Sequence, residues 1–318
     1  MTGTNVKVGL VHGDDRRANV LQAMELVRRD LAAKVGERVL IKPNLFSSTN
    51  QVTSTHVDAV RGVLDFLVTL PNPPREVIVA EGANEKYSGE AYVNYGYQDL
   101  IAEYPFEIRL VDLHQTSEWV ETPVLQVDRS ECTVRVPAAV VDHPCTISLA
   151  VAKTHDACIV TLALKNMIMG TMHKDDRIKM HGCQTHKERH LPDEVRILNV
   201  NLARLAKLLK PDIAVIDGTV GVQGNGPGGT DSINFGVAAA SADVFAADAV
   251  VAKAMGFEPT RLAQSWYGDL TGLGISDLRR IEILGADLGA VTMPFKPNDT
   301  TEQQWAWSDK SLEQYVAA

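Results

Sequence analysis

The chain is poor in cysteine, and its few cysteines are widely separated. There are four in 318 residues, and their spacing fits neither a disulfide framework nor a Cys-x-x-Cys metal knuckle. They are Cys132, Cys145, Cys158 and Cys183. We expect at least three of them to be reduced side chains that serve only in packing.

The sequence also lacks a long apolar run, a leader-like start and an excess of basic residues. No apolar stretch approaches the length that spans a bilayer, and residues 1–12 show no charged segment followed by an apolar core. The formal net charge of -9 argues against a nucleic-acid-binding surface. We therefore expect a cytoplasmic protein with neither membrane nor nucleic acid as a partner.

Two common cofactor fingerprints are missing as well. The first predicted strand runs into Val11-His-Gly-Asp-Asp15, which lacks the glycine pattern of a dinucleotide-binding turn. The glycine-rich stretch after residue 217 is not followed by Gly-Lys-Ser or Gly-Lys-Thr, as a nucleotide phosphate loop would be. The sequence predicts neither a nicotinamide nor a nucleotide cofactor.

What is present indicates a folded α/β protein, since 45% of the residues are hydrophobic. Strand-like and helical segments alternate over the first eighty residues, and the middle of the chain is richer in short strands. This order predicts a mixed, mainly parallel, Rossmann-like sheet with helices on both faces and a β-rich middle segment. We divide the chain into a core, residues 1–256, with residues 172–192 as a lid insert, and a C-terminal packing extension, residues 257–318.

Polar residues stand at the ends of four apolar runs. In an open α/β sheet, ligands bind outside the carboxyl ends of the strands, so we expect these residues to meet in one cleft. The set comprises Lys42, Asn44, Glu81, Lys153, His155 and Asp217. Lys42 and Asn44 would offer a cation and an amide to an anion, and Asp217 would hold a metal, orient a lysine or accept substrate hydroxyls.

The segment after the third run adds further candidates. A lysine next to an imidazole lowers the proton affinity of the ring, which leaves neutral His155 free to act as a general base beside Lys153. Thr161 and Lys165, four residues apart, would share one face of a predicted helix, with Asn166 beside them.

A glycine-rich loop follows Asp217 and is predicted to approach a ligand through bare backbone N–H groups. Gly224, Asn225 and Gly226 are its proposed binding residues. The alternative is that these glycines only shape a long surface turn. Further on, Asp243 is predicted to cap the N-terminus of a helix over residues 244–255.

Several of these motifs, taken in order, resemble the family catalogued as domain of unknown function 362. They are Ile41-Lys-Pro-Asn-Leu45, Lys153-Thr-His155, Thr161-Leu-Ala-Leu-Lys-Asn166, Ile216-Asp-Gly218, Gly224-Asn-Gly-Pro-Gly228, and Ser241-Ala-Asp243 followed by Asp248. The resemblance covers roughly residues 38 to 256. It implies an α/β domain with a shared pocket. Many members carry an appended ferredoxin-like cysteine array that this chain lacks, so we expect no iron–sulfur cluster.

A histidine-rich stretch offers a metal site as an alternative source of chemistry. His181, Cys183, His186 and His190 fall in one segment, and such ligands suit a divalent transition metal. The same segment is dense in charged residues, which is typical of a solvated loop.

These observations favour an enzyme that acts on a small anionic metabolite, a carboxylate or a phosphate, in a cleft lined by lysine, histidine and aspartate. Its simplest chemistry is proton abstraction next to a carbonyl with His155 as base, with or without a metal. A non-catalytic metal or metabolite carrier and a redox enzyme with a bound cofactor are the alternatives. Homo-oligomer formation is left open.

Overall fold

The structure, a computed structural model, describes residues 6–84, 88–182, 185 and 187–316. The strands are β1 (Val6–His12), β2 (Arg38–Lys42), β3 (Glu76–Glu81), β4 (Glu107–Asp112), β5 (Trp119–Leu125), β6 (Glu131–Pro137), β7 (Thr146–His155), β8 (Ile159–Thr161), β9 (Ile213–Val222), β10 (Ser232–Ser241) and β11 (Ile281–Gly285).

The helices alternate with these strands through most of the chain. They are α1 (Arg16–Leu26), α2 (Arg28–Ala32), α3 (Val57–Val68), α4 (Ser88–Asn94), α5 (Leu100–Glu103), α6 (Ala138–Val141), α7 (Ala163–Thr171), α8 (Pro192–Leu209), α9 (Val244–Ala254), α10 (Ala263–Thr271), α11 (Leu288–Val291), α12 (Thr301–Gln304) and α13 (Glu313–Val316). None of the helices in the described ranges combines the length and the apolar character needed to cross a bilayer.

A central sheet organises the molecule. Within the described residues it has nine strands in the order β11-β1-β10-β9-β7-β2-β3-β4, with β8 paired to β7. Five of the strand pairs are parallel and three are antiparallel. The strands β5 and β6 form a separate antiparallel hairpin in the middle of the chain. The predicted mixed, mainly parallel sheet with a β-rich middle segment is confirmed.

Helices cover both faces of this sheet because its strands are apolar on both sides. Along β2, Leu40 packs into one buried cluster, whereas Val39 and Ile41 pack into the other. Successive side chains of a strand point to opposite faces. The first cluster contains residues of α7, α8 and α9, and the second contains residues of α1, α3 and α4. Near-continuous apolar strands are what a sheet covered on both faces requires.

Two further segments pack around this core. Residues 172–192, which we call the lid segment, contain a 3₁₀ helix (Lys174–His181). Its buried Asp176 binds the Arg135 side chain of β6 at 2.7 Å. From the C-terminal region, Trp307 and Val316 pack against α8, and the Gln304 amide donates to the carbonyl oxygen of His155 at 2.8 Å. The C-terminal region thus supports the end of β7.

The end of β9 differs from the sequence-based prediction. We expected a strand that stops near residue 216 and releases Asp217 into a glycine loop. Instead, β9 continues to Val222 and forms an antiparallel hairpin with β10. Asp217 therefore lies within a strand, opposite Ala238, and not at its end.

Candidate functional site

A cavity of about 100 Å³ lies beyond the carboxyl ends of β2, β3 and β7, and α7 and the lid segment complete its wall. These three strands are parallel neighbours, so their ends meet at one edge of the sheet. The polar side chains on the wall are Asn44, Glu81, Asn84, Lys153, His155, Thr161, Lys165, Asn166, Arg177, His181 and Arg189. Eight of the residues that the sequence indicated are thus brought together. Four of them lie on β2, β3 and β7 or just after these strands, and the other four lie on β8, α7 and the lid segment.

Lys42, the last residue of β2, lies behind this wall and not on it. Its ammonium group is fully buried and donates to the Pro43 carbonyl at 2.7 Å, to Glu81 Oε2 at 2.8 Å and to Asn166 Oδ1 at 2.8 Å. Burial lowers the pKa of Lys42 to about 8, against the opposing effect of Glu81. With all three protons used, Lys42 positions Glu81 and Asn166 and has none left for a ligand.

Lys153 has two of its three protons in use. It donates to Asn44 Oδ1 at 2.6 Å and to the Thr53 carbonyl at 2.8 Å, and its ammonium lies 5.2 Å from the centre of the Phe46 ring. Burial, followed by the charges of Lys165 and Lys42, lowers its pKa to about 7. No carboxylate in the described part of the chain forms an ion pair with it. A bound anion would supply that missing charge.

Lys165 is the cation of the wall with the fewest partners. Its side chain is buried, with 8% exposed, yet it makes no hydrogen bond and no ion pair with any described residue. Burial lowers its pKa, and the charges of Arg189 and Arg177 add to that effect. Close by on the wall, the buried hydroxyl of Thr161 also has no partner among the described residues. Buried polar groups are normally paired, so these two are the candidate ligand contacts of the wall.

The first turn of α7 explains how Lys165 comes to face the cavity. The two carboxylate oxygens of Asp248 in α9 accept from the backbone N–H groups of Ala163 and Leu164 at 2.8 and 3.1 Å. This long-range cap satisfies N–H groups that a helix leaves open at its start. Burial raises the pKa of Asp248 to about 7, against those two hydrogen bonds. Thr161 ends β8 while Lys165 lies in α7, so they do not share one helix as predicted.

His155 is held in one tautomer by its neighbours. Its Nδ1 accepts the backbone N–H of Ala157 at 2.9 Å, although Asp156 Oδ1 also lies 3.1 Å away. Nδ1 cannot donate while it accepts, and burial together with Lys165 holds the pKa of the ring well below its usual value. The neutral ring therefore carries its proton on Nε2. In this tautomer the ring donates a hydrogen bond at Nε2. The role of His155 as a general base stays a prediction.

The lid segment contributes three residues that the strand-end rule did not predict together. Arg177 donates to the carbonyl oxygens of Gly82 and Ala83, and Arg189 forms an ion pair with Asp156. His181 is buried and also lines the cavity. Sequence reasoning missed both arginines, because only the folding of the lid segment over the strand ends brings them to this wall.

Asp217 and the glycine loop lie elsewhere. Asp217 Oδ2 binds Arg16 Nε at 2.7 Å, and its Oδ1 accepts the N–H of Thr219 at 2.9 Å. Neither Asp217 nor Arg16 lines the cavity. Of the loop residues, Asn225 binds Asp299 at 2.8 Å, and Pro227 alone reaches the wall.

Gly224 and Gly226 act in packing. The Gly224 carbonyl accepts from the Thr154 hydroxyl at 2.8 Å, and a Cβ on Gly226 would lie 2.3 Å from the Thr154 carbonyl oxygen. Residue 226 therefore has no side chain because the β7 backbone, and not a ligand, occupies the space beside it. Asp243 caps α9 as predicted, through the N–H groups of Phe245 and Ala246.

The predicted metal site cannot be assembled from the described residues. Cys183 and His186 lie outside them, His181 lines the cavity, and His190 is partly exposed away from it. Within residues 6–84, 88–182, 185 and 187–316 there is no group of three or more histidine, cysteine, aspartate or glutamate side chains arranged to hold a metal ion. The metal site stays a prediction.

The chain is 24% identical over 245 residues to a thylakoid-associated protein of Synechocystis sp. (strain ATCC 27184 / PCC 6803 / Kazusa). That match covers 72% of this chain and 66% of the relative, so the chain spans just under two thirds of the relative's length.

Among solved structures, the chain has a partial match to the lactate racemase apoprotein from Thermoanaerobacterium thermosaccharolyticum. It is 12% identical with a TM-score of 0.49, and the match covers 76% of this chain and 55% of that one. Residues 39–253, more than half of the chain, match the family described as Domain of unknown function (DUF362). The chain therefore belongs to the DUF362 family.

Proposed function

We propose that this protein is an enzyme that binds a small carboxylate or phosphate metabolite in the cavity and transfers a proton on it. The observation that carries the proposal is Lys165, a buried lysine at the cavity wall without a described hydrogen-bond or ion-pair partner. A buried charge is costly unless it is paired. An anionic ligand would pair with the ammonium group of Lys165.

The charge around the cavity supports an anionic ligand. The protein as a whole carries a formal net charge of -9, yet four lysine and arginine side chains stand on the wall: Lys153, Lys165, Arg177 and Arg189. Among the described residues Glu81 is the one carboxylate on the wall, and it is engaged by Lys42 and by the N–H of Leu45 at 2.8 Å each. Cations that are fixed in the wall of a cavity attract a small anion more strongly than cations on the open surface do.

The same groups suit proton abstraction next to a carbonyl or carboxylate. In this assignment Lys153, whose pKa is lowered to about 7, accepts the proton from carbon as a neutral amine. The ammonium of Lys165 and the Nε2–H of His155 donate to the oxygen on which negative charge develops. Thr161 and Asn44 are the proposed positioning contacts for the ligand. The volume of about 100 Å³ limits the ligand to a small metabolite.

The first test separates binding from chemistry. The wild-type protein is titrated calorimetrically with short carboxylates, 2-oxo acids and inorganic phosphate. It is then incubated with the ligands that bind in D₂O, and exchange of their carbon-bound protons is followed by NMR. We expect binding together with exchange in the wild type. Binding without exchange would favour the carrier alternative, and no binding of any small anion would overturn the proposal.

Three variants assign the roles of Lys165 and Lys153. Lys165→Met should weaken anion binding at least about tenfold, or ~1.4 kcal/mol, and abolish exchange. Lys153→Arg keeps a cation but cannot act as a base, so binding should stay within about threefold while exchange is lost. Lys34→Met removes an exposed lysine before β2, at the opposite edge of the sheet, and should behave as wild type. Exchange that survives in Lys153→Arg would refute the assignment of the base.

A further inference from the structure

We infer that the ligand of this cavity carries two separate anionic groups, and that Arg177 of the lid segment selects for the second. A short dicarboxylate is the ligand class to which we commit. This inference rests on the proposed function, since it concerns the same cavity, and it narrows the substrate from any small anion to one with two acidic ends.

The charge balance of the wall is the first step. Within the described ranges, Arg189 is ion-paired with Asp156, and Glu81 is ion-paired with Lys42. Besides the base Lys153, this leaves two wall cations without a carboxylate within ion-pair distance in the described part of the chain: Lys165 and Arg177. A monoanion neutralises one of them. A ligand with two anionic groups leaves the smaller uncompensated charge in a buried site.

The position of Arg177 is the second step. It projects from the 3₁₀ helix of the lid segment, which the buried Asp176 anchors through Arg135 and Lys179, each at 2.7 Å. The carbonyl oxygens of Gly82 and Ala83 orient its guanidinium without neutralising it. Lys165, in contrast, projects from α7. The two cations therefore enter the cavity from different elements of the fold.

The third step is the fit of an acidic group to each cation. A guanidinium presents a planar fork of donors that matches a carboxylate, whereas an ammonium acts as a point charge. The charge of Arg177 is felt at Lys165 and at Lys42, whose pKa values it helps to lower. A cavity of about 100 Å³ between them accommodates only a short spacer. A short dicarboxylate would place one carboxylate at Lys165 and the other at Arg177.

The test compares two ligands that differ only in the second carboxylate. Succinate and butyrate are titrated calorimetrically at constant ionic strength, with inorganic phosphate as a compact dianion. The wild type should bind succinate at least about tenfold more tightly than butyrate. Arg177→Met should reduce that ratio to about twofold or less while changing butyrate affinity less than about threefold. Arg75→Met, which removes a surface arginine (side chain 81% exposed) before β3, should keep the wild-type ratio.

The ratio distinguishes recognition from a structural role. If Arg177 only held the Gly82–Ala83 backbone, its loss would weaken both ligands equally and the ratio would stay at the wild-type value, which would overturn the inference. Arg177→Lys, which preserves a cation, should give an intermediate ratio and serves if Arg177→Met does not fold. The inference would also be overturned if phosphate bound the wild type as tightly as succinate does and bound Arg177→Met with the same affinity. Equal binding of succinate and butyrate defeats this inference alone, whereas no binding of either defeats the proposed function.

Discussion

Gly170 in α7 packs directly against the Lys42 ammonium, and this makes it a sharp test of the buried network behind the cavity. A Cβ built there would lie 2.0 Å from Nζ and 2.4 Å from Cε of Lys42, and 3.1 Å from Glu81 Oε1. Since ordinary contact begins at 3.4 Å, the Lys42 ammonium in Gly170→Ala must move by about 1.4 Å. That displacement breaks hydrogen bonds that are now 2.7 to 2.8 Å long.

The expected cost follows from two opposing contributions. A hydrogen bond to a charged group contributes about 1.5–3 kcal/mol, so losing two of the three costs ~3–6 kcal/mol. Alanine inside a helix is favoured over glycine by about 1 kcal/mol. Gly170→Ala should therefore lower the free energy of unfolding by ~2–5 kcal/mol. Helix propensity alone predicts the opposite sign.

Urea unfolding, followed by far-UV circular dichroism and by tryptophan fluorescence, measures this change, and coincidence of the two curves checks that a single transition is observed. The matched control is Gly89→Ala in α4, where an added Cβ meets no atom within 4 Å. That variant should be neutral or gain up to about 1 kcal/mol. If Gly170→Ala were as stable as Gly89→Ala, the reasoning about the Lys42 network would be refuted.

Three further predictions concern titrating or displaced groups. The pKa of Lys153 is about 7 in the folded protein, below the ordinary 10.5, so the unfolded chain binds more protons between these two pH values. The free energy of unfolding should therefore rise from pH 7 to pH 10, and it should rise less in Lys153→Met. The folded pKa of Asp248, about 7 against 3.8, should make stability fall from pH 4 to pH 7, and Asp248→Asn should remove that fall in urea titrations. Arg16→Ala leaves Asp217 buried without its cation, so it should destabilise the fold by about 3 kcal/mol yet leave succinate affinity within about twofold. A large loss of succinate affinity in this variant, measured by calorimetry, would instead indicate that Asp217 contributes to the site.

The part of the site that could be predicted from sequence is the part set by parallel strands. Asn44, Glu81, Lys153 and His155 follow or end β2, β3 and β7, which are neighbours in the sheet, so a rule about strand ends brought them together correctly. Arg177 and Arg189 could not be found in this way. Their positions depend on the lid segment, which a contact between Asp176 and β6 anchors, and no local pattern encodes that contact.

The glycines after Asp217 misled the prediction for an equally physical reason. A Cβ on Gly218 would lie 2.8 Å from the ring of Phe235, and one on Gly221 would lie 2.5 Å from the ring of Phe295. The two rings pack edge to face with centroids 4.9 Å apart. These glycines therefore make room for aromatic side chains beneath a hairpin. The sequence alone does not distinguish a glycine that leaves room for an aromatic ring from a glycine that leaves room for a ligand.

The lysines show what finally separates structural from functional groups in this protein. The sequence presents Lys42, Lys153 and Lys165 alike, each at or near the end of an apolar run. Within the described residues the fold gives their ammonium groups three, two and no hydrogen-bond acceptors respectively. An ammonium has three donors, so the number left for a ligand rises from none at Lys42 to one at Lys153 and three at Lys165. The acceptors come from residues distant in sequence, such as Thr53 and Asn166, and so the assignment of Lys165 needed the fold.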